Sequence, residues 1–251
     1  MTTLPNYSKK KAAMVESGKA LSEIIRTLRD YIEVGVTTLA VNDKATQLIK
    51  SYGFETSFDK VPGYNWATCM SVNEIIVHGI PNQYKLQKND LLKLDIGIYN
   101  QGYHIDYGDV FYMGTPSKSV QRFLDAGEDT LAKVIELAKY GQHIGRISQV
   151  IEQSIEKAGY RVIYDLTGHA VGKELHEDPF IPQFLDGKIS QTPKFEEGNA
   201  YALEIIYSES DSEVRHANSD DWSLRTKNKS LGCCFENTIF IEKGKTTVIV
   251  N

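Results

Sequence analysis

Asp95 and Asp106 lie in LLKLDIGIYNQGYHIDYGDVFYM (91–113), a stretch that otherwise reads as a β-hairpin. Leu92, Leu94, Ile96 and Ile98 alternate with Lys93, Asp95 and Gly97 at the two-residue period of a strand. Ile105, Val110 and Phe111 make the return segment β-prone. With Asn100 and Gln101 as a two-residue loop, Tyr99 would oppose Gly102, Gly97 would oppose His104, and Asp95 would oppose Asp106. Both carboxylates then share one face of the sheet. Like charges directly opposite are destabilising, and a carboxylate in an apolar setting is costly unless protonated, paired or bound to a metal. Taken alone, two aspartates on a solvated hairpin face would cost little.

More donors of the same kind recur downstream. LTGHAVGKELHEDPFIP holds His169 and His176 between glycines and a proline-rich exit, and without apolar periodicity it reads as a loop. Its GHAVG is no phosphate cradle, because no strand–turn–helix context or P-loop lysine–hydroxyl pair accompanies it. Glu204 sits inside the strand-like run NAYALEIIYSE, and Glu236 inside LGCCFENTIFIEKG. Each alone reads as a strand residue facing water; four carboxylates and an imidazole together point to a site for two divalent cations. Charges of −4 and +4 would balance, and an oxygen and nitrogen donor set suits Mn, Co, Fe or Zn. Two ions ~3.5–4 Å apart can activate a water and clamp a tetrahedral intermediate, so hydrolysis is the natural chemistry.

Helices must position those strands. Residues 8–32 carry apolar side chains at helical spacing, and a second helix is expected from the caps Thr37–Thr38 to just before Gly53. A long helix is expected in PSKSVQRFLDAGEDTLAKVIELAKY and a shorter one in IGRISQVIEQSIEKAGY, ending near Gly159. Shifting residues 35–54 by 106 positions lays them on 141–160, matching Gly35 with Gly141, Val41 with Ile147, Ile49 with Ile155 and Gly53 with Gly159. A duplicated helix–helix–strands unit would explain this.

Composition sets the frame. At 251 residues, 41% hydrophobic and 24% charged, the chain is ordinary globular material, long enough for a large core. No run approaches a membrane span, and MTTLPNYSKKKAAMV lacks the apolar core of a secretory signal, so the cytoplasm is expected. Cys69, Cys233 and Cys234 are an odd number without metal-finger spacing and are expected to be reduced thiols. A net charge of −5 argues against a general nucleic-acid binder, and the lysines at 9–11, 227 and 229 read as solvated.

These residues together resemble a known family. Asp95 and Asp106, His169 in GHAVG, His176 in HEDP, Glu204, Glu236 in FENTI and SVNEIIVHGIP around His78 look like a type I methionine aminopeptidase of the pita-bread metallopeptidases. The resemblance runs from about residue 12, through MVESGKALSEI and GVTT, to the C-terminus. It implies an α+β pita-bread fold: one catalytic domain over 1–251, with pseudo-symmetric halves at about 12–113 and 114–251 and helices outside antiparallel sheets. It implies removal of the N-terminal methionine from nascent proteins and peptides. By resemblance Asp95 chelates one metal, His169 and Glu204 bind the other, and Asp106 and Glu236 bridge both. Glu204 also takes the nucleophile's proton, His176 holds the scissile carbonyl or its oxyanion, and His78 contacts the substrate's first amide. The expected partners are peptide substrates and, as a candidate, the ribosome; a monomer without membrane or specific nucleic-acid contacts is expected. His104 shares the face of Asp106 by spacing, but the family does not use it as a ligand.

Departures fall around the substrate. Ile205 stands where relatives carry proline, Leu175 where they carry phenylalanine, and PGYNWATC where a Gly–Tyr–Pro–Lys–Ser lead is usual; Tyr107 replaces a small residue. The side-chain pocket is expected to be lined or bordered by Phe58, Val61, Tyr64, Cys69, Leu175 and Trp222, with Val61 where an aromatic residue is common and Phe58 where a smaller one is. Two rival classes are an aminopeptidase or dipeptidase of other specificity on this fold, and a non-catalytic binding protein, a class that tends to lose the ligands kept here.

Overall fold

The computed structural model describes residues 7–217 and 220–251, so the first six residues of the stretch read for a secretory signal lie outside the described residues. Helices α1 (Ser8–Tyr31) and α2 (Thr38–Ser51) lead into β1 (Glu55–Thr56), β2 (Thr68–Val72), β3 (Ile75–Val77), β4 (Leu91–Asn100) and β5 (Tyr103–Tyr112). Helices α3 (Lys118–Leu137) and α4 (Ile144–Lys157) then precede β6 (Arg161–Val162), β7 (Thr167–Val171), β8 (Glu177–Pro182) and β9 (Ala200–Ser208). The chain closes with β10 (Val214–His216), β11 (Leu224–Thr226), β12 (Gly232–Glu242) and β13 (Lys245–Val248).

Local chemistry sets the helix bounds. Thr37 caps α2 by accepting from the Ala40 amide, and Gly53 follows its end at φ 82°, a left-handed conformation that glycine takes without Cβ strain. The expected 106-residue shift carries Thr38–Ser51 onto Ile144–Lys157, and it carries β1 onto β6 as well. The turns agree too: Gly35 donates to the Leu86 carbonyl before α2, and Gly141 donates to the Phe195 carbonyl before α4.

All strand pairs are antiparallel. The ten-stranded sheet runs β1-β4-β5-β12-β9-β7-β8, with β2 beside β4, β6 beside β9 and β13 beside β12; β10, β11 and β3 form a smaller sheet. Strand alternation separates two faces of the large sheet. Leu92, Leu94, Ile96, Ile98, Ile105 and Phe111 pack with α1 and α2 in one core. Tyr201, Leu203, Ile205, Tyr207, Ile239 and Ile241 pack with α3 and α4 in another. Each such side chain contributes on the order of 1.5–3 kcal/mol. The residues between them, Asp95, Asp106, Glu204 and Glu236, therefore project from the face away from the helices.

Two local expectations are corrected. The β4–β5 turn is Gln101–Gly102, not Asn100–Gln101, because these two residues take positive φ (52° and 88°) and Gly fits that role. The register accordingly pairs Asn100 with Tyr103, Gly97 with Asp106 and Asp95 with Gly108. A slip of two residues keeps both aspartates on one face, but diagonal rather than opposed. The segment read as a loop is a hairpin: β7 carries His169, and β8 begins just after His176. Its central strand lacks alternation because Gly168, His169, Ala170 and Val171 are all buried.

Candidate active site

Four neighbouring strands supply one carboxylate each: Asp95 from β4, Asp106 from β5, Glu236 from β12 and Glu204 from β9. Glycines face the first two. Gly108 lies opposite Asp95, and Gly97 lies opposite Asp106. The Asp106 backbone is locked to β12, its N–H donating to Thr238 Oγ1 at 3.0 Å while that hydroxyl donates to the Asp106 carbonyl at 2.7 Å. From β7, the His169 Nδ1–H donates to the Ala170 carbonyl at 2.9 Å. That bond leaves a lone pair on Nε2, which lies 3.5 Å from Glu204 Oε1 and 3.8 Å from Asp106 Oδ2.

Burial and mutual repulsion dominate the electrostatics of this cluster. Burial pushes the Asp95 carboxyl up to about 7. Burial, reinforced by neighbouring carboxylates, also raises Asp106, Glu204 and Glu236 well above the usual range. Burial lowers the imidazoles, His169 to about 3 and His78 to about 4, and depresses His176 as well, so all three are neutral near pH 7. Asp95 Oδ1 and Glu236 Oε1 are buried with no hydrogen-bond partner. Asp106, His169 and Glu236 each place a ligand atom within 4.8 Å of the others. Orphaned carboxylate oxygens beside a lone-pair nitrogen are the surroundings a divalent cation requires.

Two cavities meet here. One, of ≈ 40 Å³, is bordered by all five candidate ligands together with His78 and His176. The other, of ≈ 70 Å³, is lined by Phe58, Val61, Tyr64, Cys69, Leu175 and Trp222, the six residues expected from the sequence. Asp95, Asp106, His78 and His176 border both. The Trp222 ring stands edge-on to Tyr64 at 5.1 Å and to His78 at 6.5 Å. The His176 ring lies 4.5 Å from that of His169.

Sequence reasoning passed over two lining residues. Cys234 Sγ donates to Glu204 Oε2 at 3.8 Å, and Lys93 is buried with its amine pushed down to about 7. Each stands two residues before a candidate ligand on the same strand, so the two-residue period was a signal that could have found both. His104, by contrast, turns its Nδ1 to Ser57 Oγ at 2.7 Å and stacks near Tyr99.

Comparison with known proteins places this arrangement. The methionine aminopeptidase of Clostridium perfringens is 31% identical over 228 residues, 91% of this chain and 90% of that one. Methionine aminopeptidase 1 of Bacillus subtilis is 32% identical over 91% of each chain. The crystal structure of methionine aminopeptidase from Thermotoga maritima superposes with a TM-score of 0.92 at 30% identity, covering 97% of both chains. Prolidase from Pyrococcus furiosus shares the fold at a TM-score of 0.78 and 18% identity, over 97% of this chain and 64% of that one. The pita-bread architecture expected from the sequence is thus the architecture found. With the family matching residues 12–243, the chain belongs to metallopeptidase family M24.

Proposed function

We propose that the protein is a divalent-metal-dependent aminopeptidase that releases methionine from the amino termini of peptides and nascent proteins. The observation that carries this reading is the junction of the two cavities. A side chain seated among Phe58, Tyr64, Leu175 and Trp222 sets its own backbone beside Asp95, Asp106, His78 and His176, which border both spaces.

Membership of the family implies divalent metal use, and we assign two ions from among cobalt, manganese, iron and zinc. Asp95 would hold one, His169 and Glu204 the other, and Asp106 and Glu236 both. The placement of Asp106 and Glu236 on the two central strands, between Asp95 and Glu204 on the flanking ones, supports this division. When bound, such a pair acts as a Lewis acid and brings the pKa of water toward neutrality.

The chain's own groups do the rest. Glu204 takes the proton of the attacking water. Neutral His176 donates a ring N–H to the scissile carbonyl oxygen and strengthens that bond as negative charge develops. His78 contacts the first amide of the substrate, and the apolar pocket walls exclude water from the side chain. We read residues 12–113 and 114–251 as pseudo-symmetric halves of one catalytic unit. The three buried free cysteines support a reducing, cytoplasmic setting.

The test is release of methionine from Met-Ala-Ser by chelator-stripped protein reloaded with each of the four metals. No release with any metal would refute the reading. A different preferred first residue would favour the second reading, an aminopeptidase of other specificity, for which Leu175 and Ile205 are the motivating departures.

A further inference from the structure

Lys93 is 3% exposed, and it is the only lysine or arginine among the residues bordering the cavity of the five candidate ligands. It follows the Asp95 face of β4, opposite Ser71 on β2 and Val110 on β5. Its Nζ donates to the Asn73 carbonyl at 2.7 Å. Burying an amine against a neutral acceptor costs desolvation that an apolar side chain of similar length would not.

Asn73 is a junction of the fold. It takes a left-handed conformation, φ 54°, at the turn from β2 to β3. Its carbonyl also accepts from the Gly232 N–H at 3.3 Å, where β12 starts. Its amide N–H donates to the Leu91 carbonyl at 2.9 Å, its side-chain Oδ1 accepts from the Leu91 N–H at 2.9 Å, and its Nδ2 donates to Asp90 at 2.8 Å. β3 is three residues long and ends immediately before His78, itself left-handed at φ 56°. On the opposite arm, Ser71, the strand partner of Lys93, accepts the Gly79 N–H on its Oγ at 3.0 Å. His78 is thus held between two anchor points, the Asn73 turn that the Lys93 side chain bonds and the Ser71 hydroxyl on the strand paired with β4.

We propose that Lys93 is a positioning residue for catalysis: by anchoring the Asn73 carbonyl it fixes the short β3 arm and so sets where the His78 imidazole meets the substrate. This rests on the reading of His78 as a substrate-contacting group. A displacement of about 1 Å at such a group costs up to about a hundredfold in rate, so the effect is large enough to measure.

The experiment is a double-mutant cycle of Lys93→Met with His78→Ala, joined to spectroscopy of the histidine rings in zinc-supplemented protein. Lys93→Met is expected to lower kcat/KM on Met-Ala-Ser by about 10- to 100-fold, and to add less than about twofold in the His78→Ala background. Zinc affinity by calorimetry is expected to stay within about threefold of the starting protein, because the ligands are unaltered. Long-range proton–nitrogen correlation spectra are expected to show the His78 ring signals displaced and those of His143 and His216 unmoved. Additive losses in the cycle, or unchanged His78 signals, would overturn the proposal, as would loss of zinc binding as the main effect. If Lys93→Met does not fold, Lys93→Gln, which keeps a neutral donor, runs the same cycle. Absence of hydrolysis by the starting protein would sink the functional reading, whereas the ring signals decide the placement of His78 independently.

Discussion

Glu236 faces Glu204 directly across β12 and β9, two acidic side chains in register at the one cross-strand position where like charges repel most. The β4–β5 hairpin relieves the same conflict differently, by setting Asp95 and Asp106 two residues out of register with a glycine opposite each. A sheet that brings four carboxylates to one buried patch is stable only if they hold protons or share cations.

Asp106→Asn and His176→Ala should separate metal binding from transition-state stabilisation. Removing the charge of Asp106, on a central strand, is expected to weaken metal binding and abolish turnover. Removing His176 is expected to lower kcat by ~10²–10³ while metal is retained. Calorimetric metal titration beside steady-state kinetics on Met-Ala-Ser checks both, and the assignment fails if the two phenotypes are exchanged.

Gly108→Ala should injure the metal site more than the fold. A Cβ there would lie 2.9 Å from Glu236 Cβ, closer than a Cβ tolerates, and a tight 3.3 Å from its Oε2. Overpacking of this kind costs ~1–3 kcal/mol, and here the atom that must yield belongs to a proposed ligand. Metal affinity is expected to fall by about tenfold or more, with the thermal midpoint lowered by roughly 2–12 °C, as ~1–3 kcal/mol implies for a chain of this size. Equal metal affinity in Gly108→Ala and the starting protein would show that Glu236 does not need the space.

Metal binding should release protons, and its affinity should fall as pH drops through neutrality. Burial raises these carboxyls, Asp95 to about 7, so they hold protons more tightly than free carboxyls do, and a cation must displace those protons. As pH falls below about 7 more protons compete, so the sign is toward weaker binding. Lys93, whose amine is pushed down to about 7, gains charge over the same range and acts in the same direction. The imidazole of His169, lowered to about 3, is neutral throughout and does not compete. Titrations at pH 6 and pH 8, in buffers of different ionisation enthalpy, measure proton release directly; pH-independent affinity would contradict the account.

What could be read from the chain depended on whether the signal was local. The helices were legible because apolar spacing and caps such as Thr37 act within a few residues. The face shared by Asp95 and Asp106 was legible because strand period survives a register slip of two. The register itself was not, since it turns on which pair takes positive φ, and only Gln101–Gly102 does. β7 was hidden because its partners, β8 and β9, come later in the chain and because burial on both faces erases alternation. Cys234 and Lys93 were passed over for the opposite reason: the period was visible, but neither residue type belongs to an oxygen and nitrogen ligand set.

The pocket walls predict relaxed discrimination at the first residue of the substrate. Phe58, Tyr64 and Trp222 present aromatic surface to the ≈ 70 Å³ cavity, whereas Leu175 and Val61 are aliphatic. An aromatic wall adds ~0.3–1.5 kcal/mol for a thioether over a hydrocarbon, and Leu175 adds none. Shape is the remaining source of selectivity, and one methylene in such a pocket is worth only ~1–3 kcal/mol. Leucine and norleucine are therefore expected to compete with methionine within a factor of about 10–200. Measuring kcat/KM over Xaa-Ala-Ser peptides decides it. A preference for Met over Leu beyond about a thousandfold would mean that Phe58 restores what Leu175 removes, since exchanges that conserve volume are well tolerated. Leu175→Phe provides the converse: if the aliphatic wall is the cause, that single change should sharpen the preference for methionine while leaving metal affinity untouched.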